Sequence, residues 1–363
     1  MNSVIDAGRC LSAVTFSANG ECLWTGDDNL GVRTWRVENG EQMAKMKAWP
    51  VNVQCVAVSK DGRWVATGSE DGDVFLWDAK TPSLRVALRG VAARGDGRTG
   101  KINGVDFSPD SSRLVSATND RTASIWDVAT HQRVQTLQHK ELVTAAKYSP
   151  QGDRIATATP DSIRVWDSNN GRSLVHIPVT VTRGFHVVNA NTFVWFNNNL
   201  FVISDSQIKQ IEASTGSALS EWPVSAADGI NLSCIALPKH ARIIACSTRR
   251  TITVFDTATH TQLGFVHHPQ DIRSILVSPD DQSLAIVGDD GKIAINSLSH
   301  ISVSILSCSI VVHMNNFLAP IVFHRIQTLG LVYTPHSRNQ TFGSTTLRSI
   351  LGSTINSQPR KHY

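Results

Sequence analysis

An internal repeat runs through most of this chain and limits the folds open to it. Each copy holds a polar turn, a short β-rich run, a second turn rich in Asp, and a strand that ends in Trp-Asp in the clearest copies. Two of these read VSKDGRWVATGSEDGDVFLWDAK (58–80) and FSPDSSRLVSATNDRTASIWDVAT (107–130). Seven copies align on the Trp position, with 40–49 residues between successive anchors: Trp35, Trp77, Trp126, Trp166, Ile211, Phe255 and Asn296.

A period of about 40–45 residues with several short strands per copy is typical of the blade of a β-propeller. In the second copy Val74 and Leu76 alternate with Phe75 and Trp77, so both faces of the sheet are apolar, as stacked blades require. We therefore predict an all-β fold, a seven-bladed propeller over residues 1–310.

The repeat resembles the WD40 repeat, over about residues 1–300. Its SPDG-like turns and near-identical blades are similar to WD40 repeats abundant in fungi. The resemblance implies a hydrogen-bond chain inside a blade, from a His before the first strand through a Ser or Thr and a turn Asp to the Trp. The fourth copy offers all four groups, whereas the second and third lack the His: His139, Thr157 or Thr159, Asp161 and Trp166; Asp71 and Trp77; Asp120 and Trp126.

Two segments compete to close the ring as the outer strand of the seventh blade. Residues 3–5 precede the first strand of the first copy in the same way as residues 135–137 precede the first strand of the fourth copy. Residues 301–305 alternate with period two and follow directly from the seventh copy, so they are the longer and better-patterned candidate. On that ground we predict that residues 301–305 close the ring.

Charge divides the chain near Asp290, the last acidic residue. Residues 1–290 carry a net charge of −2 and residues 291–363 a net charge of +6, so the basic pI does not indicate a nucleic-acid-binding body. We expect residues 311–363 to be an irregular, disordered tail. An alternative is that this tail replaces the usual C-terminus through a retained intron, a frameshift or an early stop.

The longest insertion of the repeat, residues 89–101, is a candidate partner-binding loop. It contains Arg89, Arg94, Arg98 and Lys101 against Asp96, and it is rich in glycine. Residues 95–101 also match the start of a phosphate-binding loop, GxxxxGK. The next residue is Ile102 instead of the Ser or Thr that would hold magnesium, and the segment leads into a predicted strand, so nucleotide binding is the least favoured interpretation.

A second candidate contact is the pair Arg249-Arg250, in a turn of the sixth blade where other blades carry an acid. By the repeat alignment the same face also carries many carboxylates, which argues against a nucleic-acid track. A local phosphate-recognition patch is one interpretation, and solvated turn residues are the other.

No motif indicates catalysis, a cofactor or a metal. The six cysteines form no CxxC, no Cys/His cluster has zinc-ligand spacing, and neither GxSxG nor HExxH occurs. We also find no signal peptide and no membrane span, because polar residues interrupt the most apolar stretch, 301–323. These observations predict an intracellular, cytoplasmic protein, with the nucleus as a further possible location.

The resulting functional hypothesis is a non-enzymatic scaffold that displays propeller loops to protein partners, without nucleic acid, membrane, metal or cofactor. The alternative is a recognition module of a larger signalling protein, truncated here. Nucleotide or phosphate binding through residues 89–101 is the third hypothesis.

Overall fold

The computed structural model describes residues 3–8, 11–27, 31–47, 52–81, 83–89, 100–179, 192–204, 207–224, 234–238 and 242–298. They form seven four-stranded antiparallel sheets, one for each copy of the repeat. The chain begins with β1 (Ser3–Asp6), which belongs to the seventh sheet. The strands of the first four copies are β2 (Leu11–Phe16), β3 (Cys22–Asp27), β4 (Gly31–Arg36), β5 (Gln42–Lys47), β6 (Val53–Val58), β7 (Trp64–Ser69), β8 (Asp73–Asp78), β9 (Ser83–Arg89), β10 (Ile102–Phe107), β11 (Arg113–Thr118), β12 (Thr122–Asp127), β13 (Arg133–Gln138), β14 (Ala145–Tyr148), β15 (Arg154–Thr159), β16 (Ser162–Asp167) and β17 (Ser173–Pro178).

The last three copies have the same four-strand pattern, with β1 supplying the fourth strand of the seventh. Their strands are β18 (Phe193–Phe196), β19 (Asn199–Ser204), β20 (Gln207–Glu212), β21 (Ala218–Pro223), β22 (Cys234–Ala236), β23 (Ile243–Ser247), β24 (Thr251–Asp256), β25 (Gln262–His267), β26 (Ile272–Val277), β27 (Ser283–Gly288) and β28 (Lys292–Ser297). The predicted seven-bladed propeller is confirmed.

The core is divided into seven clusters, one at each interface between neighbouring blades. The anchor residues of blades one to six pack against the preceding blade, for example Trp77 against the first, Trp126 against the second and Trp166 against the third. Leu11, Phe16 and the other residues of the last cluster join the seventh blade to the first, so the ring is closed by apolar packing. The first strands of adjacent sheets also contact one another and line the centre of the ring.

The prediction that residues 301–305 close the ring is wrong. Strand β1 pairs with β28, placing Ser3 opposite Ile295 and Ile5 opposite Ile293, and it occupies the outer edge of the seventh sheet. Ile5 is fully buried in the cluster between blades seven and one. Alternation along a strand indicates only which face is buried, whereas the choice of edge depends on this contact between chain ends. Residues 301–305 themselves, and the predicted tail 311–363, lie outside the described residues.

A buried hydroxyl accompanies every anchor that is a Trp. Each indole Nε1 donates to a Ser or Thr on the second strand of its own blade, at 2.7–3.0 Å: Trp35 to Thr25, Trp77 to Thr67, Trp126 to Ser116 and Trp166 to Thr157. Where the anchor is Ile211, Phe255 or Asn296, the second-strand position is Val202, Cys246 or Ile286. The indole and the hydroxyl are thus lost together, so neither is left buried without the other.

The Asp of the Trp-Asp pair fixes the turn between the third and fourth strands. Asp78 Oδ1 accepts hydrogen bonds from the backbone N–H groups of Lys80 and Thr81, at 2.9 and 3.0 Å. These bonds, that from Thr81 first, lower the pKa of Asp78 to about 2. Asp127, Asp167 and Asp256 cap the equivalent turns. This Asp is therefore structural.

Candidate interaction surface

One end of the ring carries both kinds of loop on which partner-binding residues were predicted. Because the four strands of a sheet alternate in direction, the turn between the second and third strands lies at the same end as the connections to neighbouring blades. We call this end the loop face. Arg249 and Arg250 lie in the second–third turn of blade six. Arg89 ends β9 and Lys101 precedes β10, so these described ends of the other candidate loop lie on the loop face as well.

Three of the four groups proposed for the chain in blade four meet. The Thr157 hydroxyl lies 2.8 Å from His139 Nε2 and accepts from Trp166 Nε1 at 2.7 Å. His139 Nδ1 lies 3.2 Å from the Leu137 carbonyl oxygen, while Asp161 accepts from Thr159 at 3.0 Å. The blade-four network therefore links His, Thr and Trp, and the Asp belongs to a separate network within its turn.

Blades two and three contain the Trp–hydroxyl bond without the rest of the chain. Asp71 is exposed, whereas Asp120 accepts hydrogen bonds from the backbone and side chain of Thr122, at 3.0 and 2.7 Å. A cavity of about 10 Å³ lies beside Asp120, lined by groups that include Ser116, Thr118 and Trp126. It has room for one water molecule and is far too small for a nucleotide.

The structure describes only the ends of the candidate loop 89–101. Arg89 ends β9 and is exposed, Lys101 precedes β10, and the Lys101 carbonyl oxygen accepts from the backbone N–H of Asn119 at 3.0 Å. Arg94 and Arg98 lie outside the described residues. Since a strand follows Lys101, the GxxxxGK segment does not open the helix whose N-terminus holds phosphates in a phosphate-binding loop.

Arg249 and Arg250 share one carboxylate. Arg249 Nε donates to Asp271 Oδ2, and Arg250 Nε donates to Asp271 Oδ1 at 2.7 Å. The backbone of the turn is also tied down, because the Arg249 carbonyl oxygen accepts from Ile272 N–H at 2.6 Å and that of Arg250 from His268 N–H at 2.7 Å. Hydrogen bonds from Arg250 and Arg249 lower the pKa of Asp271, so its carboxylate stays charged at neutral pH.

A third arginine extends this group toward the first blade. Arg273 Nε donates to Asp289 Oδ1, and Arg273 Nη1 donates to the Leu11 carbonyl oxygen at 3.2 Å. The backbone N–H of Asp289 in turn donates to the Asp271 carbonyl oxygen at 2.9 Å, which connects the two ion-paired groups. We call Arg249, Arg250 and Arg273, with their partners Asp271 and Asp289, the arginine patch.

Sequence reasoning missed two partly buried charged residues, Lys147 and Asp106, on first strands beside the centre of the ring. Lys147, on first strand β14, donates to the Phe193 carbonyl oxygen at 2.9 Å and lies 5.0 Å from the centre of the Phe193 ring. Burial lowers the pKa of Lys147 to about 8 and raises that of Asp106, on β10, to about 6. The available signal was a charged residue in the middle of a first strand, where repeats otherwise place small or apolar residues.

The described residues contain no group of three or more His, Cys, Asp or Glu side chains that could hold a metal ion. Within the same part of the chain, no helix is long and apolar enough to cross a membrane.

Two family models match the chain. The model described as "Nucleolar protein 10-like, N-terminal domain", a β-propeller model, matches residues 3–202, which is more than half of the chain. The model "WD domain, G-beta repeat" matches residues 259–296. The second match includes most of the seventh copy, so the WD repeat is recognised there although the Trp position holds Asn296.

Curated relatives match over shorter segments. WD repeat-containing protein 1 of Gallus gallus is 45% identical over 84 residues, 23% of this chain and 13% of the relative. Periodic tryptophan protein 2 of Arabidopsis thaliana is 29% identical over 168 residues, 45% of this chain and 18% of the relative. The chain thus spans less than a fifth of the length of either relative.

Solved structures match over the whole ring. "Structure of U3-55K" has a TM-score of 0.68 at 14% identity, covering 80% of this chain and 96% of that one. "Crystal structure of RRP9 WD40 repeats" has the same TM-score at 15% identity, covering 80% and 94%. At this identity the likeness shows the fold, the WD40 propeller.

Proposed function

We propose that this chain, which belongs to the propeller family described as "Nucleolar protein 10-like, N-terminal domain", is a non-enzymatic platform that holds protein partners on its loop face. The observation that carries the proposal is the closed ring with a charged, partly exposed group of side chains fixed on that face. A rigid ring supports loops from several blades at once, and a few residues on such loops supply most of the affinity for a partner.

The absence of catalytic chemistry is part of this proposal. The loop face brings together arginines, carboxylates and backbone groups, whereas the His139–Thr157–Trp166 network lies inside blade four. Thr157 is fully buried, so its hydroxyl is not accessible to a substrate. The buried network serves stability and the loop face serves recognition.

The place of action that the family supports is the nucleolus or nucleus. The matching model describes a nucleolar protein, and this observation does not support the cytoplasmic location expected from the sequence. We expect a tagged full-length chain to concentrate in the nucleus; an even cytoplasmic distribution would contradict this assignment. The expectation that the chain binds no nucleic acid stays a prediction.

The test of the platform compares the two ends of the ring. Full-length protein is used to capture partners from native extract, beside a variant in which residues 90–99 are replaced by a Gly-Ser linker. A control variant, Arg85→Gln with Arg172→Gln, removes two charges near the opposite end of the ring. We expect a stoichiometric partner that the control retains.

Loss of that partner with the linker variant would place its contact in the loop between blades two and three. Loss with the control variant alone would mean that partners use the opposite end of the ring and would overturn the proposal. Absence of any stoichiometric partner, from protein shown to be folded by circular dichroism, would also overturn it.

A further inference from the structure

Two guanidinium groups in the arginine patch are held side by side by one carboxylate. The two Nε atoms of Arg249 and Arg250 bind the two oxygens of Asp271. Their backbones are held by hydrogen bonds to the connection between blades six and seven. Much of the entropy cost of orienting two long side chains is therefore met within the folded protein, before any ligand binds.

Both guanidinium groups keep donors that the described part of the chain does not use. The side chains of Arg249 and Arg250 are 59% and 55% exposed. Among the described residues, each makes its side-chain hydrogen bond through Nε, so its two terminal nitrogens donate no hydrogen bond there. An arginine with free terminal nitrogens is suited to bidentate binding of an oxyanion.

We propose that the arginine patch recognises a phosphoryl group on a phosphorylated segment of a partner protein, with Arg249 and Arg250 as the direct contacts. A phosphoryl group presents three acceptor oxygens and close to two negative charges, so it can bind the terminal nitrogens of both guanidinium groups more strongly than a singly charged carboxylate with two oxygens can. Arg273 adds positive charge beside them. This inference rests on the proposed function and specifies the class of partner.

The surroundings of the patch favour a single phosphorylated site over a nucleic-acid backbone. Toward the seventh blade the next charged side chains are Asp289, bound to Arg273, and Asp290, which lies 3.9 Å from Lys292. Beyond them Asp6 ends β1 and is exposed. A polyanion that ran along this side of the loop face would meet carboxylates, whereas one phosphate on an otherwise neutral segment would not.

The test measures binding of the full-length chain to a fluorescent peptide pool with one central phosphoserine between random positions. Two matched pools carry Ser or Glu at the centre. The variants are Arg249→Gln with Arg250→Gln, which removes the charge, and Arg249→Lys with Arg250→Lys, which retains the charge without the planar fork. Arg85→Gln with Arg172→Gln is the control, with the same charge loss near the opposite end.

We expect the phosphoserine pool to bind at least about tenfold more tightly than either matched pool. The double Gln variant should abolish this preference, the double Lys variant should retain only a small part of it, and the control should keep it. Equal binding of the three pools, an equal loss in the control, or no binding by folded protein would overturn the inference. So would displacement of the peptide by random single-stranded RNA that binds more tightly.

Failure of this inference can be told apart from failure of the platform. Suppose that a partner captured from extract is retained after phosphatase treatment and by the double Gln variant. The platform proposal would then stand, and recognition of a phosphoryl group would be contradicted. A partner that is lost after phosphatase treatment and is not captured by the double Gln variant would support both proposals.

Discussion

At the scale of single residues, the pairing of indole and hydroxyl groups shows how a repeat tolerates change. Blades one to four keep a Trp and its Ser or Thr, and the other blades have replaced both members. Loss of one member alone leaves a buried polar group without a hydrogen-bond partner, which costs about 1–3 kcal/mol of stability, whereas loss of both can be nearly neutral. Substitution within a blade is thus constrained in pairs.

A double-mutant cycle in blade two measures this constraint, because Trp77 and the fully buried Thr67 form an isolated pair there. We expect Thr67→Val to cost about 2 kcal/mol in the wild-type background and markedly less in the Trp77→Phe background, where no N–H needs an acceptor. Urea unfolding of the four proteins gives the coupling energy. Equal costs in both backgrounds would show that the bond contributes nothing.

His139 makes stability depend on pH. Burial, the main cause, lowers its pKa from 6.5 to about 4, so the unfolded chain takes up a proton in a range where the folded chain does not. Its contribution is present above pH 6.5 and is lost as the pH falls toward 4. Between pH 7 and 5 the loss should be about 2 kcal/mol.

The measurement compares unfolding free energies at pH 7 and pH 5 for the wild type, His139→Gln and, as control, a variant of the exposed His176 in the same blade, His176→Gln. We expect the His139 variant to lose less stability on acidification than the other two. The same loss in all three proteins would assign the pH dependence to other groups.

At the scale of elements, the seventh sheet depends on a strand from the other end of the chain. Successive residues of β1 face opposite sides: Ile5 is fully buried between blades seven and one, and Val4 is 61% exposed. The closure therefore depends on the buried face of a four-residue strand.

Ile5→Ala should destabilise the protein by about 3 kcal/mol, because it opens a cavity at the interface that completes the ring. Val4→Ala, on the exposed face of the same strand, should change stability by no more than about 0.5 kcal/mol. Thermal or urea unfolding provides both values. Similar small effects from the two substitutions would show that β1 does not hold the ring closed.

At the scale of the whole molecule, all strands in the described part of the chain lie within residues 3–298. We therefore expect a chain that ends at residue 310 to retain the propeller, with the circular dichroism and unfolding midpoint of the full-length protein. A lower midpoint or loss of the β spectrum would show that residues 311–363 contribute to the fold, and the predicted domain boundary would be wrong.

The arginine patch illustrates what the sequence could and could not predict about the site. The repeat alignment placed Arg249 and Arg250 in the turn where other blades carry acids, and this local feature was enough to select them. Their partner Asp271 lies in the connection to blade seven, about twenty residues further along the chain. The neighbouring pair differs, because Arg273 on β26 meets Asp289 at the end of the adjacent strand β27 of the same blade. Only the folded structure brings Asp271 to both arginines.

Local patterns in the sequence were enough to predict the fold class and the number of blades. These properties follow from turn chemistry and period-two alternation, which act over a few residues and recur in each copy. The packing of the folded chain was needed to select the strand that closes the ring, to bury Lys147 and Asp106 in part, and to pair the loop-face arginines. Each of these depends on groups that are distant in sequence and meet only when whole blades pack, so no local pattern could specify it.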